Sequence, residues 1–322
     1  MYMSEITMVS MVLIAYNQEQ FIKQAIISAF QQTYLPMEII LSDDCSTDRT
    51  FDIMAEMTHD YHGPHKISLN RNLTNLGIAG NLNKAFEMSQ GQFIVVQAGD
   101  DISVPNRVAE LVQCWKSQKT SVDLVCSYLE DIDIDGRSTG FINKEVMFVP
   151  DVSKDPLNWR CGATGACAAY SRKLFEKYGP LNTRVMAEDW VYSFRAWVES
   201  GIAVIEAPLV KRRIHSASIS VTHRNVKTVR DAALRRQLRR KAAENALGIA
   251  EEWLRAWQIS GKEYKQHSEA GLRRLVRMRE LQLCAHNATR AAALKIAIKI
   301  YLNKGGSVNT LKIIVRHVLR ID

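Results

Sequence analysis

The sequence predicts an α/β fold with a mostly parallel central sheet and helices on both faces, followed by a helical C-terminal region. Three observations predict it. Short apolar runs of strand length alternate with helical patterns over the first hundred residues. The 322 residues, 47% of them hydrophobic, provide enough chain for one large α/β domain and an appendage, or for two modest domains. From about Val221 onward the composition becomes helical and rich in Ala, Leu, Arg and Lys.

Four apolar runs justify the first half of the predicted sheet. The predicted strands are Met8–Ala15, Glu38–Leu41, Lys66–Leu69 and Gln92–Val96. Apolar residues at helical spacing predict helices between them, over Gln18–Gln31, Thr47–Thr58 and Ala79–Ser89. Continuous apolar strands joined by helices indicate parallel pairing, because both faces of such a sheet are covered.

The middle of the chain continues the sheet less regularly. Further strands are predicted over Val122–Ile134, Gly162–Tyr170, Ile202–Ile205 and Leu209–Ile214. Further helices are predicted over Val104–Trp115, Ser171–Tyr178 and Glu188–Ser200. The basic C-terminal region is expected to be helical, with breaks near Ile259–Gly261 and Lys304–Ser307.

Composition excludes several classes of protein. With 16 Gly, 7 Pro and 24% charged residues, the chain is neither collagen-like nor disordered. Its 6 Cys include no CxxC pair, so a zinc ribbon and a thioredoxin motif are excluded. No run approaches the roughly 18 apolar residues of a membrane span, and Met8–Ala15 lacks the flanks of a signal peptide. We therefore expect a cytoplasmic protein with free thiols.

Polar and acidic side chains follow each of the first four predicted strands. They are Tyr16-Asn17, Ser42-Asp43-Asp44, Asn70-Arg71 and Gln97-Ala98-Gly99-Asp100-Asp101. In a parallel sheet the carboxyl ends of the strands meet at one edge, where ligands bind. A single acidic residue there is explained by helix capping, but four such groups together indicate a ligand site.

The segment VSMVLIAYNQEQFIKQAIISAFQQTYLPMEIILSDDCSTDRT combines a strand, Tyr-Asn, a helix, a second strand and Asp-Asp-x-Ser-Thr-Asp-x-Thr in a fixed order. In this respect the chain resembles the family-2 inverting glycosyltransferases of the GT-A fold, from about Val9 to about Val221. The resemblance implies transfer of a sugar from a nucleotide-sugar, which we expect to be a UDP-sugar, to a saccharide or lipid-linked saccharide acceptor. It also implies a role in bacterial surface polysaccharide synthesis, such as that of O-antigen. Residues 1–221 would form the catalytic domain and residues 222–322 a separate helical region.

The resemblance also implies residues for the nucleotide-sugar. Asp43 would accept a hydrogen bond from the base, with Asp44 and Ser46 as its supports. The remaining residues implied for the donor site are Ala15, Tyr16, Asn17, Glu19, Asn75, Gly77, Asn81, Gln97, Gly99 and Arg213. Of these, Arg213 would neutralise charge on the diphosphate.

A divalent cation, Mn²⁺ or Mg²⁺, is the implied cofactor, because the departing diphosphate gains negative charge. The resemblance places Asp100, Asp101 and His215 as its ligands. The chain departs from the family pattern at Ala98, where the first Asp of the commoner D-x-D-D motif would stand. Asp101 has an alternative role as the N-cap of the following helix.

Inversion at the anomeric carbon requires a base that takes the proton of the acceptor hydroxyl. The resemblance assigns this role to Asp189, in the sequence Ala-Glu-Asp-Trp. Contacts to the acceptor and the transferred sugar are implied for Gly165, Ala166, Glu188 and Trp190. Two acidic residues at a helix start are also explained by the helix dipole alone.

Charge is divided unevenly along the chain. Asn225–Asp322 contains 21 Lys and Arg against 8 Asp and Glu, a net charge of +13, while Met1–Arg224 has a net charge of −5. The basic helices would pack on the catalytic domain, bind an anionic membrane surface or form a homodimer. A nucleic-acid partner is not expected, because the region has no basic groove interleaved with aromatic residues.

Two other functions compete with sugar transfer. A nucleotidyltransferase would carry a glycine-rich basic loop after the first strand, where this chain has AYNQEQ. A membrane-associated inactive scaffold or binding module would keep the fold without the chemistry. The retained Asp100, Asp189 and His215 favour an enzyme over this second alternative. An NAD-dependent dehydrogenase is excluded because no GxGxxG follows the first strand.

Overall fold

The structure is a computed structural model that describes residues 7–118, 120–144, 162–215, 218, 231–261 and 266–287. The chain divides into two compact units. The first comprises Met1–Pro150 and Arg160–Ser218, and the second comprises Asp151–Trp159 and Ile219–Asp322. The sheet lies in the first unit, and two long helices lie in the second.

Strands and helices alternate through the first unit. Its strands are β1 Val9–Ala15, β2 Met37–Asp43, β3 Lys66–Arg71, β4 Phe93–Ala98, β5 Ile102–Ser103, β6 Leu124–Ile132, β7 Ser138–Asn143, β8 Ala168–Ser171 and β9 Ile202–Arg213. Its helices are α1 Ile22–Phe30, α2 Thr50–His59, α3 Gly77–Met88, α4 Arg107–Ser117, α5 Arg172–Tyr178 and α6 Glu188–Glu199. The four strands and three helices predicted up to β4 are confirmed, with some shift of their ends.

The predicted α/β fold with a central sheet is confirmed, and its strand order is β3-β2-β1-β4-β8-β6-β9-β5, with β7 paired to β6. The pairs β3–β2, β2–β1 and β1–β4 are parallel, as is β6–β9. The pairs that involve β8, β7 or β5 are antiparallel. Met11 and Leu13 of β1 are buried in one cluster with Ile22 and Ile26 of α1. This burial explains the continuous apolar run of β1.

Three of the strands predicted in the middle of the chain differ from those observed. The first part of Gly162–Tyr170 is a 3-10 turn over Gly165–Cys167, which the Cys167 N–H closes by donating to the Thr164 carbonyl at 3.0 Å. The two strands predicted between residues 202 and 214 form the single strand β9. Its register with β6 shifts at Pro208, where a residue without an N–H interrupts the ladder.

The predicted N-cap role of Asp101 is wrong. Helix α4 begins at Arg107 with Asn106 as its N-cap residue. Between Asp101 and this helix the chain forms β5, which pairs antiparallel with β9. Asp101 is therefore too far from the helix to cap it and lies instead beside β9.

The second unit contains α7, Ala232–Ser260, and α8, Gln266–Asn287, which pack against each other. The side chain of Asp231 caps α7 by accepting from the Leu234 N–H at 2.8 Å, and Gly261 ends it in the left-handed conformation. The predicted break near Ile259–Gly261 is confirmed, whereas the one near Lys304–Ser307 lies outside the described residues. Within the described part of the chain, no helix has the length and hydropathy to span a bilayer.

Candidate active site

The carboxyl ends of the first four strands meet at one edge of the sheet. Ala15 of β1 lies opposite Asp43 of β2, and Asp43 lies opposite Arg71 of β3. Ile14 lies opposite Ala98 of β4, so the loop after β4 opens at the same edge. The loops that carry the predicted nucleotide and metal residues are therefore brought together.

The loop after β1 is joined to the loop after β2 by hydrogen bonds. The Asn17 N–H donates to Ser46 Oγ at 2.9 Å, and Glu19 Oε2 accepts from the Arg49 N–H at 3.0 Å. Asn17 has a left-handed φ of 52°, which Asn tolerates better than most residues. Beside these contacts the ring of Tyr16 is 45% exposed at the sheet edge. Asn17 and Glu19 thus shape a loop that leaves an aromatic face free for a flat ligand.

Asp43 is fully buried where β2 ends. Its Oδ2 accepts from the Ser46 N–H at 2.9 Å and lies 3.6 Å from Arg71 Nε. Its Oδ1 has no hydrogen-bond partner within the described ranges. An unpaired buried acceptor costs free energy that a ligand donor would recover. Arg71 also covers the ring of Phe51 at 4.7 Å. Its position at the end of the third strand placed it at the predicted site, but the sequence did not reveal its pairing with Asp43.

Asp44 holds the loop between β3 and α3. Its Oδ1 accepts from the Leu76 N–H and its Oδ2 from the Gly77 N–H, both at 2.8 Å. Asn75 Oδ1 accepts from the same Gly77 N–H at 3.0 Å. Gly77 has a φ of 75°, which favours glycine. Asp44, Asn75 and Gly77 therefore shape the loop through contacts within the protein.

Asn81 and Gln97, both predicted for the donor site, turn inward. Asn81 Oδ1 accepts from Ser42 Oγ at 2.6 Å, and Asn81 Nδ2 donates to the Ser42 carbonyl at 3.1 Å. Gln97 Nε2 donates to Ser28 Oγ at 3.0 Å, and Gln97 Oε1 accepts from Ser103 Oγ at 2.8 Å. Both side chains are buried, so they stabilise the sheet edge from within.

Gly99 and Arg213 support the loop after β4. A Cβ at Gly99 would lie 2.8 Å from Ala15 Cβ, which has no freedom to move away, so the end of β1 and the loop after β4 approach too closely for a side chain there. Arg213 is buried and donates from Nε to the Asp100 carbonyl at 3.1 Å and from Nη1 to the Ile134 carbonyl at 2.7 Å. Its guanidinium was predicted to neutralise the diphosphate, but in this arrangement it braces the loop that carries Asp100.

Asp100 and His215 form a pair at the sheet edge. Asp100 Oδ2 lies 3.0 Å from His215 Nε2, and their side chains are 15% and 9% exposed. The His215 N–H donates to Ser218 Oγ at 3.2 Å, which orients the residue. One carboxylate oxygen and one imidazole nitrogen fit a divalent cation that completes its shell with phosphate oxygens and water. No group of three or more candidate metal-binding side chains occurs among the described residues.

Asp101, the third predicted metal ligand, faces the interior. Its Oδ1 accepts from the Arg213 N–H at 2.9 Å, and the residue is buried. Desolvation and the neighbouring Asp100 carboxylate raise the pKa of Asp101 well above its usual range. The structure therefore brings Asp100 and His215 together and places Asp101 beneath them.

Asp189 lies in the first turn of α6, against the 3-10 turn. Its Oδ2 accepts from the Gly165 N–H at 3.3 Å, and its Oδ1 accepts from the Trp190 N–H at 2.9 Å. Glu188 packs so close to the turn that a Cβ at Gly165 would lie 2.2 Å from Glu188 Oε1. The small residues of this segment therefore allow two carboxylates to lie against backbone.

Both carboxylates of this pair are harder to ionise than free ones. Burial raises the pKa of Asp189 to about 6, although the Trp190 and Gly165 N–H groups oppose the rise. Burial, with the charge of Asp189, raises the pKa of Glu188 to about 8. At neutral pH Asp189 is then the ionised member, and a carboxylate with a pKa near 6 is suited to general base catalysis.

Ala166 and Trp190 complete the predicted acceptor residues. The Ala166 carbonyl accepts from Arg107 Nη2 at 2.9 Å, and this hydrogen bond holds the 3-10 turn in place. Both residues are partly exposed. Their contact with an acceptor stays a prediction.

We expect Gly165→Ala to impair turnover more than stability. The added Cβ collides with the end of the Glu188 side chain, which is able to swing away, so the cost in free energy of unfolding should stay near the low end of the 1–3 kcal/mol typical of overpacking. Displacing Glu188 beside Asp189 should lower kcat by about tenfold. Thermal denaturation and steady-state kinetics measure the two effects. An unchanged kcat would show that the close packing of Glu188 is irrelevant to the reaction.

The central sheet, with the parallel strands β3-β2-β1-β4 and the loops gathered at their carboxyl ends, has the GT-A fold of nucleotide-sugar transferases. The profile described as Glycosyl transferase family 2 matches residues 10–179, more than half of the chain, and the chain belongs to this family. The resemblance stated from the sequence is thereby confirmed.

Two relatives and one solved structure are similar to this chain. An uncharacterized protein of Mycobacterium tuberculosis is 28% identical over 218 residues, or 65% of this chain and 60% of the relative's length. The Escherichia coli UDP-Glc:alpha-D-GlcNAc-diphosphoundecaprenol beta-1,3-glucosyltransferase WfaP is 30% identical over 123 residues, or 38% of this chain and 47% of its own. A fragment of S. aureus TarS, solved in complex with UDP, superposes with a TM-score of 0.59 over 95% of this chain and 89% of its own, at 14% identity. This last similarity shows the fold alone.

Proposed function

We propose that this chain is an inverting, metal-dependent glycosyltransferase that moves a sugar from a UDP-sugar to a saccharide acceptor. The observation that carries the proposal is the carboxylate of Asp189, which backbone N–H groups orient and burial poises at a pKa of about 6. An acidic residue that served only to begin the helix would need neither this fixed orientation nor this raised pKa. Family membership supplies the reaction class.

Asp189 would take the proton of the acceptor hydroxyl as its oxygen attacks the anomeric carbon. One hydrogen bond to each carboxylate oxygen fixes the plane of the group and leaves a lone pair on each oxygen for the acceptor. Glu188, neutral at the same pH, would donate a hydrogen bond to a sugar hydroxyl rather than compete for the proton.

Asp100 and His215 would hold a divalent cation against the diphosphate. The mixed oxygen and nitrogen donor set favours Mn²⁺ over Mg²⁺, which prefers oxygen ligands alone. When bound, the cation would neutralise charge on the departing nucleotide. Arg213 would serve this site by fixing the Asp100 loop.

Uracil is the favoured base. Asp43 Oδ1 is unpaired and buried, so a small movement of Arg71 would allow it to accept a hydrogen bond from the uracil N3–H. The exposed ring of Tyr16 would cover the base. The UDP bound to TarS supports this choice. The lipid diphosphate acceptor named for WfaP supports a lipid-linked acceptor, and hence a role in surface polysaccharide synthesis.

Thermal denaturation with UDP, GDP, dTDP and CMP, each with and without Mn²⁺, tests this proposal. We expect UDP with Mn²⁺ to stabilise the protein by about 2.7 kcal/mol at 100 times Kd, a shift of several degrees, and the other nucleotides to do less. A shift with another nucleotide would correct the base. No shift with any of them would favour an inactive scaffold.

We also propose that α7 binds an anionic membrane surface on the cytoplasmic side. Its first turns carry five cations, Arg235, Arg236, Arg239, Arg240 and Lys241. Glu244, which pairs with Arg240 at 2.9 Å, offsets one of them. Charges of this kind add about 1 kcal/mol each near an anionic surface.

Vesicle sedimentation tests the membrane proposal. The protein should bind vesicles that contain phosphatidylglycerol at low salt and release them at high salt, because the attraction is screened. Replacing the exposed Arg236, Arg240 and Lys241 by Gln should abolish binding. Equal binding of this variant, or of vesicles of phosphatidylcholine alone, would contradict the proposal.

A further inference from the structure

Arg107 is a charged side chain with no exposed surface. Burial lowers the pKa of its guanidinium to about 10, so it remains charged at neutral pH. Its Nη1 donates to Ser103 Oγ at 2.9 Å, and its Nη2 donates to the carbonyls of Val96 at 2.8 Å and Ala166 at 2.9 Å. A buried charge is costly, so these contacts must outweigh a large desolvation penalty.

Through Val96 and Ser103, Arg107 is connected to the loop that carries Asp100. Val96 lies in β4, just before the loop. Ser103 Oγ, which accepts from Arg107, donates in turn to Gln97 Oε1 at 2.8 Å. Gln97 Nε2 then donates to the Asp101 carbonyl at 3.2 Å. Arg107 therefore braces both ends of the segment that presents Asp100.

Through the Ala166 carbonyl, Arg107 is also connected to Asp189, the proposed general base. Ala166 lies in the 3-10 turn, next to Gly165, whose N–H donates to Asp189 Oδ2. A shift of the turn would carry this N–H away from the carboxylate. The same guanidinium nitrogen, Nη2, thus contacts both the strand that leads to Asp100 and the turn that supports Asp189.

We propose that Arg107 is a positioning residue that fixes the spacing between the Asp100 loop and the Asp189 base. The proposal rests on the proposed function for its catalytic meaning. A planar guanidinium with several donors serves acceptors in different directions at once, which a lysine ammonium does less well and an apolar side chain cannot do. Arg107 itself would touch neither substrate nor metal, because its side chain is fully buried.

The test compares Arg107→Met and Arg107→Lys with a matched control, Arg172→Met. Arg172, at the start of α5, also joins two segments through backbone carbonyls, because its Nε donates to the carbonyl of Gly91, just before β4, at 2.7 Å. Its contacts lie at the opposite end of β4 from the Asp100 loop. Both Met variants lose a tie of the same kind, but only one loses the link to the site.

We expect Arg107→Met to lower kcat by about 100-fold with the UDP-sugar that the wild type turns over, since small misplacements of reacting groups cost this much. The donor KM should change by less than about threefold, because nucleotide contacts stay in place. Arg107→Lys should recover about tenfold of the loss, and Arg172→Met should keep the wild-type kcat. If both Met variants lose kcat only in proportion to their unfolded fraction, the proposal is overturned.

Amide hydrogen exchange separates this proposal from the proposed function. Residues 96–103 and 162–171 should both exchange faster in Arg107→Met than in Arg172→Met, whether or not a donor is known. Faster exchange in one of these segments alone, or in neither, would overturn the proposal. If the wild type turns over no UDP-sugar, the proposed function fails, while the exchange result still decides whether Arg107 couples the two segments.

Discussion

Asp189→Asn is expected to lower the turnover of sugar transfer by about 10²–10⁴-fold, the range for loss of a general base. The amide keeps the size of the carboxylate and can still accept from Gly165 or Trp190, but it cannot take the acceptor proton. UDP–Mn²⁺ affinity should change by less than about twofold, because the proposed nucleotide contacts lie on β1, β2 and the Asp100 loop. Steady-state kinetics and calorimetry measure the two quantities. Loss of turnover and nucleotide affinity together would mean that Asp189 is structural.

The same carboxyl group links activity to pH. Its pKa is raised to about 6, so Asp189 loses its basic form as the pH falls through 6, and kcat should fall with it. Tyr170 and Cys167, the buried titratable neighbours, have raised pKa values and stay neutral over this range. Glu188, whose pKa is raised to about 8, is already neutral near pH 6, so Glu188→Gln should move the fall in kcat only slightly and should not abolish turnover. If the Asp189→Asn protein still transfers sugar and its kcat still falls as the pH drops through 6, a group other than Asp189 causes the fall.

Stability should change in the opposite sense to activity. Because the folded-state pKa of Asp189 is higher than that of an unfolded chain, its contribution to stability is full at low pH and is lost as the pH rises through about 6. Asp189→Asn should therefore denature at a higher temperature than the wild type at pH 8. If Asp189 serves catalysis at a cost in stability, Asp189→Asn should raise Tm and lower kcat together.

The fold was predictable because its first strands contain runs of apolar residues that are easy to recognise in the sequence. Val9–Ala15 and Met37–Asp43 are buried along nearly their whole length, so Met11–Ala15 and Ile39–Leu41 within them are uninterrupted apolar runs. The failures lie where tertiary contacts decide the backbone. Gly165–Cys167 lies in the segment Gly162–Tyr170 that was predicted as a strand, but it forms a turn that is held by Arg107 and Asp189, neither of them local in sequence.

The site was predictable as a set of loops more than as a set of side chains. Polar residues after strands marked the sheet edge, and Asp100 with His215 came together across 115 residues of chain. A polar residue in such a loop can face either a ligand or the interior, and the sequence does not distinguish the two. Arg213 and Gln97 face the interior, where hydrogen bonds satisfy them. Arg107 escaped notice because a buried arginine in an amphipathic helix has no sequence signature.

The second large effect is expected for Asp100→Ala. This change removes the carboxylate from the Asp100–His215 pair and leaves one imidazole as the protein's donor to the cation. Loss of a residue that merely supports a metal ligand costs about 10–100-fold in affinity, so loss of the ligand should cost at least that. UDP affinity in the presence of Mn²⁺ should fall accordingly, whereas the weaker affinity without Mn²⁺ should not change. Calorimetry with and without the metal measures both.

A matched control makes this result specific. Asp60→Ala removes an exposed carboxylate at the end of α2, whose start lies at the loops of the sheet edge, and it should leave both affinities unchanged. His215→Ala should act in the same direction as Asp100→Ala, and the double variant should lose little more than either single variant if both serve one cation. Fully additive losses would place the two residues in separate interactions with the nucleotide. Unchanged UDP–Mn²⁺ affinity in Asp100→Ala would show that the pair holds the protein together rather than the metal, because its hydrogen bond joins the loop after β4 to the segment after β9.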